Sequence, residues 1–519
     1  MSATVKRARM TGARPVSSTV EEAGSQLCVV WRVSIGLLAL QLLGMLVFTT
    51  VQYDRFNLTT DFAAYSQAWS AIAHGQLSPY STAFGQPFWR NDFELLMWPM
   101  ALLYWVYPHA VTLLWLQVAA VVGAEAVVLR WVRDVLLDAV PDRRDSTWML
   151  GLVTLLLVVT PWSWFTIGFD FHLEPFVTVF ALLAARDLWA GRTKRLVLWV
   201  PLTLASAASA GALCLMAVGV AGVLSRKVSR KVAVAIVVAG LAWLAFASGI
   251  GAMGFRGQPL GPMYGYLTGG TSGHFGMAQL LEGLVSHPWR ALEMLRSHAP
   301  YVVGYIASGG VIGLRSRWGL VPAAFVILPS ALNANSDFIH FAQSFQSWPA
   351  VLFIVVGAAF VLPKLTGARP YSRQAIALAV GSLVAALCVA AVHVNQIPAY
   401  LQRVSPQAVA KLAATQERAP AGAEFVVSQG IIGRFSMGRS AYPYWAEGSP
   451  EQFPISGHRG MIVFVLAPVQ GTAEGYSWET RQAIGYVETT LHARGLEEGS
   501  GIWSFVWEPP SAARSVVLP

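Results

Sequence analysis

Apolar runs long enough to cross a membrane recur along the sequence from Trp31 to about Val394, and they constrain the fold more than any other feature. An α-helix needs about 20 predominantly apolar residues to span the hydrocarbon core of a bilayer. Only 12% of the 519 residues are charged, against roughly 25% in soluble domains. The sequence therefore predicts a mainly α, polytopic transmembrane helical bundle, followed by one further domain in the last 125 residues, which lack such runs.

The basic residues indicate membrane topology rather than a nucleic-acid partner. The net charge is +9, but the Lys and Arg residues form short clusters between apolar runs instead of covering one face. The three cysteines, Cys28, Cys214 and Cys388, lie in or beside different runs. They offer no disulfide framework and no CxxC metal site.

Eleven membrane spans are predicted from the apolar runs, at residues 31–53, 109–129, 147–166, 175–190, 195–208, 211–224, 232–250, 299–314, 318–333, 346–362 and 374–394. The remaining run, 92–107, begins with Asp92 and Glu94 and is only about 16 residues long, so it predicts a re-entrant or interfacial helix. This arrangement places 22 Lys and Arg residues in cytoplasmic segments and five in outer loops. We therefore expect the N-terminus inside and the C-terminus outside.

Three domains follow from this assignment. Residues 1–30 are rich in Ser, Thr, Gly and basic residues, which is typical of a disordered cytoplasmic tail. Residues 31–394 form the transmembrane domain, with the outer loop at 54–108. Its first run is too long for a signal peptide, so we expect an uncleaved anchor in the plasma membrane. Residues 395–519 predict a small extracytoplasmic α/β domain.

The C-terminal domain shows both strand and helix patterns. Apolar stretches predict buried strands at 424–428, 460–468 and 502–509, and helical periodicity with a glycine stop predicts a helix at 480–495. Its loop also contains Tyr442, Tyr444 and Trp445, which either stack on sugar rings or simply pack against the bundle.

Most of the unusual polar residues fall in the predicted outer segments. Asp61 opens the stretch DFAAYSQAWSAIAHG, and GFDFHLEP brings Asp170, His172 and Glu174 to the next outer turn. Later outer segments carry His274, Asp337 and His340. The DFHLE pattern fits a divalent-cation site, an acid/base group or a plain polar turn, so no cofactor is certain.

Asp61 has a structural alternative to a catalytic role. A carboxylate in the first turn of a helix offsets the helix dipole and caps free N–H groups. Phe62, Tyr65, Trp69 and Ile72 recur at helical spacing, which is also typical of an amphipathic helix lying at the membrane interface.

The sequence resembles a family of polytopic membrane proteins, the DUF2079 type, which is related to the GT-C glycosyltransferases. The resemblance is carried by DFAAYSQAWSAIAHGQLSPY, NDFELLMWPMALLYWVYPHAVTLLWLQ, GFDFHLEPF and the segment from Leu320 to Phe360. It departs from the family pattern at Asp92, where a histidine is common, and at Ser206 to Leu213, where a charged patch is common.

The resemblance implies a GT-C-like glycosyltransferase that transfers a sugar from a polyprenyl-phosphate donor to a glycan or lipid acceptor at the outer face of the membrane. Asp61 is the position that matches the family's general base. The other residues that the motifs and the chemistry suggest for substrate binding are Gln67, Trp69, Arg90, Asp92, Glu94, Asp170, His172, Glu174, Asp337 and His340. Candidates for facing the phosphate are Arg55, Arg90, Arg256 and His172.

Two other functional classes fit parts of the sequence. A non-catalytic lipid-glycan binding or transport-accessory protein would keep the bundle without an active base. A secondary transporter would carry ionisable groups near the middle of the membrane, as Glu125 does in the second span, whereas most such groups here fall at one surface.

Overall fold

The computed structural model describes residues 16–139, 143–251, 260–269, 277–335, 339–340, 345–366, 373–393, 401, 403–446, 449–455, 461–467 and 478–519. Within these ranges the chain is mainly helical, as predicted. Each predicted span coincides with helical structure, and the helices of the bundle are α1 (Val16–Asp54), α4 (Val111–Ala139), α5 (Arg143–Val159), α6 (Trp162–Gly168), α7 (Glu174–Trp189), α8 (Leu196–Ser206), α9 (Ala208–Val223), α10 (Arg230–Gly249), α14 (Ala299–Gly309), α15 (Arg317–Ala331), α16 (Trp348–Thr366) and α17 (Arg373–His393).

Four helical segments are long and apolar enough to cross a membrane, namely Gln26–Asp54, Val111–Asp138, Ser146–Gly168 and Arg230–Gly249. Four shorter apolar helices accompany them in the described part of the chain. With 11 residues, α8 is only about 16 Å long at 1.5 Å per residue, roughly half of the hydrocarbon core. The count of eleven full spans therefore remains a prediction.

Glycines allow the later helices to approach closely. A Cβ on Gly357 of α16 would lie 2.4 Å from the carbonyl oxygen of Gly313 and 2.8 Å from the Cα of Gly319. Only hydrogen fits at these positions. Small residues at such crossings let helix backbones pack directly, which is how helices associate in a membrane without a hydrophobic driving force.

The first loop contains one well-formed helix, α2 (Thr60–Ala73), a hairpin of β1 (Tyr80–Ser81) and β2 (Gln86–Pro87), and a short helix, α3 (Met97–Met100), which continues as a 3-10 helix at Ala101–Trp105. The predicted interfacial helix at 92–107 is wrong in its first part, because Asp92 and Glu94 lie before α3 in non-helical backbone. Phe93 between them has φ 48°, which interrupts helical geometry.

The Asp61 segment is helical, as expected, but α2 does not expose its polar face to water, and its position relative to the membrane stays a prediction. All of α2 except Asp61 and Ala71 is buried. Its polar stripe faces the C-terminal domain, where Ser66 Oγ lies 2.6 Å from Ser436 Oγ and Gln67 Nε2 donates to Ala441 O at 3.3 Å. The stripe is polar because it meets hydrogen-bonding groups of the protein.

Between α10 and α14, the described residues include the short helices α11 (Gly261–Tyr264), α12 (Met277–Ser286) and α13 (Pro288–Ser297). His298 separates α13 from α14, and its Nδ1 lies 2.9 Å from Ala331 O. His274 and Arg256 lie outside the described residues.

The C-terminal region forms an α/β unit around a five-stranded sheet of order β4-β3-β6-β8-β7. Strands β3, β4 and β6 are parallel, whereas β8 pairs antiparallel with β6 and β7. The strands are β3 (Glu424–Ser428), β4 (Ala441–Tyr444), β5 (Glu451–Pro454), β6 (Ile462–Leu466), β7 (Arg494–Gly499), β8 (Ile502–Trp507) and β9 (Ser515–Leu518), with helices α18 (Pro406–Arg418) and α19 (Trp478–Thr489).

The three predicted strands are present as β3, β6 and β8, but the helix predicted at 480–495 extends too far. Helix α19 ends at Thr489, and β7 begins at Arg494. His492 between them has φ 52°, a left-handed conformation that is incompatible with continuing the helix to the glycine.

The C-terminal unit and the first loop share one hydrophobic core. Phe56, Ala63 and Phe84 of the loop pack with Phe425 and Phe435 of the C-terminal unit. A 3-10 helix, Gln429–Phe435, runs along α2 and donates a hydrogen bond from Gly433 N to Leu58 O at 3.0 Å. The C-terminal unit therefore covers α2 at one end of the bundle.

Candidate active site

Two amide side chains from the bundle hold the DFHLE turn between α6 and α7. Gln52 of α1 donates from Nε2 to Gly168 O at 2.6 Å. Gln117 of α4 donates to Thr166 O at 2.9 Å and accepts the backbone N–H of His172 at 3.3 Å. The turn is thus fixed to the ends of two spans, so its side chains have defined positions.

Asp170 of this turn caps α2. Its carboxylate accepts hydrogen bonds from the backbone N–H of Thr59 at 2.9 and 3.1 Å, from the Thr59 hydroxyl, and from the backbone N–H of Phe62 at 3.4 Å. Asp170 itself has φ 33°, which Asp tolerates better than most residues. The first-turn N–H group of Phe62 thus bonds a carboxylate that is distant in sequence, and the N-cap residue Thr59 makes no side-chain cap.

Asp61, His172 and Glu174 form a contiguous group beside this cap. Asp61 Oδ2 lies 3.6 Å from His172 Nε2, and Glu174 Oε2 lies 3.8 Å from His172 Nδ1. The Asp61 side chain is 20% exposed, whereas that of His172 is 8% exposed. Glu174 is 17% exposed, so both carboxylates reach the surface of this cluster while the imidazole between them is buried.

Aromatic rings fix the orientation of His172. Its imidazole stacks on Phe345 with ring centroids 3.7 Å apart and planes within 10°, and Phe169 stacks at 5.5 Å. Within the described part of the chain, His172 Nε2 is buried without a hydrogen-bond partner. The ring is held by packing, with one nitrogen directed toward Asp61.

Two further carboxylates, Glu94 and Asp92, lie near the group formed by Asp61, His172 and Glu174. Glu94 Oε1 accepts a hydrogen bond of 2.5 Å from the Tyr65 hydroxyl, one helical turn after Asp61. Asp92 caps α9, since its carboxylate accepts from Ser209 N at 3.1 Å and from Ser209 Oγ at 2.7 Å. The two departures from the family pattern, Asp92 and the Ser206 to Leu213 segment, are therefore in contact with each other.

Burial determines the protonation of these groups. It raises the pKa of Glu174 to about 8 and that of Asp92 to about 7, and it raises the pKa of Glu94 well above the usual range. Burial also lowers the pKa of His172 to about 3, so the imidazole is neutral at neutral pH. Its contacts with Asp61 and Glu174 are then not ion pairs, because desolvation outweighs the attraction of the nearby carboxylates.

No group of three or more His, Cys, Asp or Glu residues in the described ranges has an arrangement that could hold a metal ion. The divalent cation considered from the DFHLE pattern stays a prediction. Capping, packing and hydrogen bonding account for the contacts of the turn.

Several predicted substrate-binding residues already have partners within the protein. Gln67 bonds Thr82 at 2.7 Å and Arg439 O at 3.2 Å, and Trp69 is fully buried with its indole donating to Met100 O at 3.1 Å. Arg90 is exposed over the Trp89 ring, and His340 packs 5.3 Å from the Tyr301 ring. Asp337 lies outside the described residues. Substrate contact at these positions stays a prediction.

The structure adds three residues that the sequence argument missed. Tyr65 could have been found from its spacing, because position i+4 shares a helix face with Asp61. Phe345 and Arg403 carry no such signal. The positive charge of Arg403 lowers the pKa of Asp170, although burial raises this pKa overall. Arg55 Nη1 donates a hydrogen bond to Leu401 O at 2.6 Å, which holds the chain just before Arg403 beside the first loop.

The sequence matches the family described as predicted membrane protein (DUF2079) over residues 52–422. This region contains Asp61, the DFHLE turn and all the bundle helices after α1. The chain belongs to this family. No curated protein matches the sequence.

Two solved structures are similar to this member of the DUF2079 family. ArnT from Cupriavidus metallidurans in the apo state matches with a TM-score of 0.41 and 12% identity over 91% of this chain and 98% of its own. The apo oligosaccharyltransferase of Archaeoglobus fulgidus matches with a TM-score of 0.37 and 12% identity over 81% of this chain and 64% of its own. Likeness at this level does not assign an activity.

Proposed function

We propose that this protein is a membrane glycosyltransferase that transfers a sugar from a polyprenyl-phosphate donor to a hydroxyl acceptor, with Asp61 as the general base. The proposal places the reaction at the outer face of the cytoplasmic membrane. One observation carries it: two carboxylates lie at the start of α2, and Asp170 caps the helix while Asp61 is the more exposed.

In the proposed reaction the acceptor oxygen attacks the anomeric carbon of the donor and the bond from that carbon to the phosphate oxygen breaks. The acceptor proton passes to Asp61, and polyprenyl phosphate leaves with the bonding electron pair. The sugar is transferred with inversion. General-base catalysis of this kind contributes about 10²–10⁴-fold to the rate.

The surroundings of Asp61 suit this role in two ways. His172 is neutral and fixed by stacking, so it limits the positions open to the Asp61 carboxylate without neutralising it. Burial raises the pKa of Glu174 to about 8, so this carboxyl is largely protonated at neutral pH, and it raises the pKa of Glu94 as well. The negative charge of Glu174, which would repel an incoming phosphate, is thereby avoided.

Arg403 supplies positive charge at the same end of the bundle, and we assign it to the leaving phosphate. The charge of Arg403 acts on Asp170, whose carboxylate accepts a hydrogen bond from the backbone N–H of Thr59, two residues before Asp61. A fixed guanidinium stabilises charge that develops on a departing phosphate, and it suits phosphate geometry better than an ammonium does.

The test follows transfer from polyprenyl-phosphate sugars to added acceptors by the purified full chain in lipid nanodiscs. We expect Asp61→Asn to lower turnover by about 10²–10⁴-fold while donor binding is retained. Equal turnover by the Asn variant would remove Asp61 from the mechanism. Absence of turnover by the wild type with every donor would favour a non-catalytic lipid-glycan binding protein.

A further inference from the structure

A cavity lies away from the Asp61 cluster, where the first loop meets the C-terminal unit. It has a volume of about 340 Å³ and is an open cleft between the β1–β2 hairpin and strands β4 and β5. This volume falls within the usual range of small-molecule sites, about 300–1,000 Å³. None of its lining residues belongs to the carboxylate cluster around His172.

The walls of this cavity are aromatic and carry no positive charge. Its described lining includes Tyr80, Phe84, Tyr442, Trp445 and Phe453, together with Glu451 and Gln452, but no Lys, Arg or His. A site for a lipid phosphate would need cationic groups, so the phosphate of a donor does not suit this cavity. Aromatic faces beside amide and carboxylate groups do suit a neutral sugar ring, which has both apolar C–H faces and hydroxyl groups.

The cavity is preorganised by hydrogen bonds from both sides. The Glu451 carboxylate accepts the backbone N–H of Trp445 at 3.0 Å and that of Ala446 at 2.8 Å, which fixes the loop that carries the indole. Thr82 of the hairpin donates to Ala441 O at 2.7 Å and accepts from Ala441 N at 3.0 Å. The two walls are therefore joined, and little ordering is needed when a ligand binds.

Tyr80 is the aromatic lining residue that is most available to a ligand. Its side chain is 58% exposed although Tyr is a large amphipathic residue, whereas Tyr442 and Phe453 are buried and meet edge to face at 6.4 Å. Tyr444, the other tyrosine of β4, points into the core, where its hydroxyl donates to Pro519 O at 3.0 Å. Of the three aromatic residues that the sequence suggests for stacking on sugar rings, Tyr442 and Trp445 line the cavity.

We propose that this cavity binds a neutral saccharide unit of the acceptor glycan, with the ring stacked on Tyr80 and Trp445. Assigning the saccharide to the acceptor rests on the proposed transferase function, but binding itself does not. The cavity and the Asp61 cluster both adjoin α2, because Gln67 of that helix bonds Thr82 of the cavity wall at 2.7 Å. A glycan held here would approach the reaction centre from the C-terminal unit.

Binding is measured with the full chain, purified in a detergent without a sugar headgroup, on immobilised maltotriose, chitotriose and mannotriose. We expect wild-type retention on at least one of them. Tyr80→Ala should weaken it by about tenfold or more, and Tyr80→Phe should keep most of it. The control is Trp478→Ala, which removes a 68% exposed aromatic residue of the same unit that does not line the cavity.

The outcomes separate this proposal from the catalytic one. Absence of wild-type binding to all three glycans, or binding that Tyr80→Ala leaves unchanged, would overturn the cavity assignment. Trp445→Ala provides a second variant if Tyr80→Ala fails to fold. Asp61→Asn should bind the glycan as the wild type does, since Asp61 does not line the cavity. Intact glycan binding by a wild-type protein that transfers no sugar would count against the transferase and leave the saccharide site.

Discussion

At the scale of residues, the structure gives α2 a capping carboxylate, Asp170, that the sequence did not suggest for this task, while catalysis by Asp61 stays a proposal. Helical spacing and the acidic first turn predict a cap by Asp61, and that interpretation is reasonable for α2 taken alone. Asp170, 111 residues away in sequence from Thr59, also caps this helix. No local pattern reveals such a contact, whereas the spacing of Asp61 and Tyr65 could have been recognised.

The raised pKa of Glu174 predicts how stability depends on pH. Its pKa is about 8 in the folded chain and about 4.5 in an unfolded one, so the folded state keeps a proton that the unfolded state loses between pH 5 and 8. Stability from this group is therefore present at low pH and is lost as the pH rises through that window.

We expect Glu174→Gln, which cannot ionise, to gain thermal stability relative to the wild type as the pH increases from 5 to 8. Unfolding is followed in the same detergent at several pH values. Glu417→Gln, an exposed change on α18, serves as the control and should show no such trend. A constant difference between Glu174→Gln and the wild type at all pH values would contradict the assignment.

At the scale of elements, the sequence identifies which segments are helical better than it identifies what covers them. Runs such as α1, α4 and α10 are apolar enough to be recognised directly. The polar stripe of α2 predicts water on one side, yet the partner is the 3-10 helix Gln429–Phe435, more than 350 residues later. The short strands β4, β5, β7 and β9 escaped prediction because four to six residues carry little periodicity.

The contact between α2 and the C-terminal unit is predicted to be intolerant of added volume. A Cβ on Gly433 would lie 2.5 Å from Leu58 Cβ and 3.0 Å from Phe62 Cδ1. We expect Gly433→Ala to destabilise the protein by about 1–3 kcal/mol, as overpacking usually does.

The matched control is Gly485→Ala within α19, where nothing lies within 4 Å of the added Cβ. Alanine should stabilise that helix by up to about 1 kcal/mol. Thermal unfolding of both variants in one detergent provides the comparison. Equal stability of the two variants would show that the C-terminal unit does not pack on α2 as described.

At the scale of the whole molecule, the two ends of the bundle differ in chemistry. One end carries α2, the carboxylate cluster and the C-terminal unit. The other carries the ion pair between Asp138 of α4 and Lys227 at 3.7 Å, near the basic clusters that the positive-inside rule assigns to the cytoplasm. Tyr53 and His109, with ring centroids 5.1 Å apart, place the opposite end of α4 beside the first loop.

This topology predicts the result of labelling in whole cells with a membrane-impermeant thiol reagent. After the three native cysteines are replaced by Ser, we expect Gln76→Cys in the first loop to react from outside and Asp138→Cys to react only after permeabilisation. Both positions are exposed, so a difference in reactivity reports sidedness. Labelling of position 138 in intact cells would invert the topology.

The most direct test of the central claim compares Asp61→Asn with Asp170→Asn in thermal unfolding and in sugar transfer. Asp61→Asn should cost at most about 1 kcal/mol of stability and lower turnover by about 10²–10⁴-fold. Asp170→Asn should destabilise the protein by about 1–3 kcal/mol, because the amide presents N–H groups to the donors of Thr59 and Phe62, while the folded fraction keeps the base. If Asp61→Asn instead loses stability and retains turnover, Asp61 is a structural residue and the account is wrong.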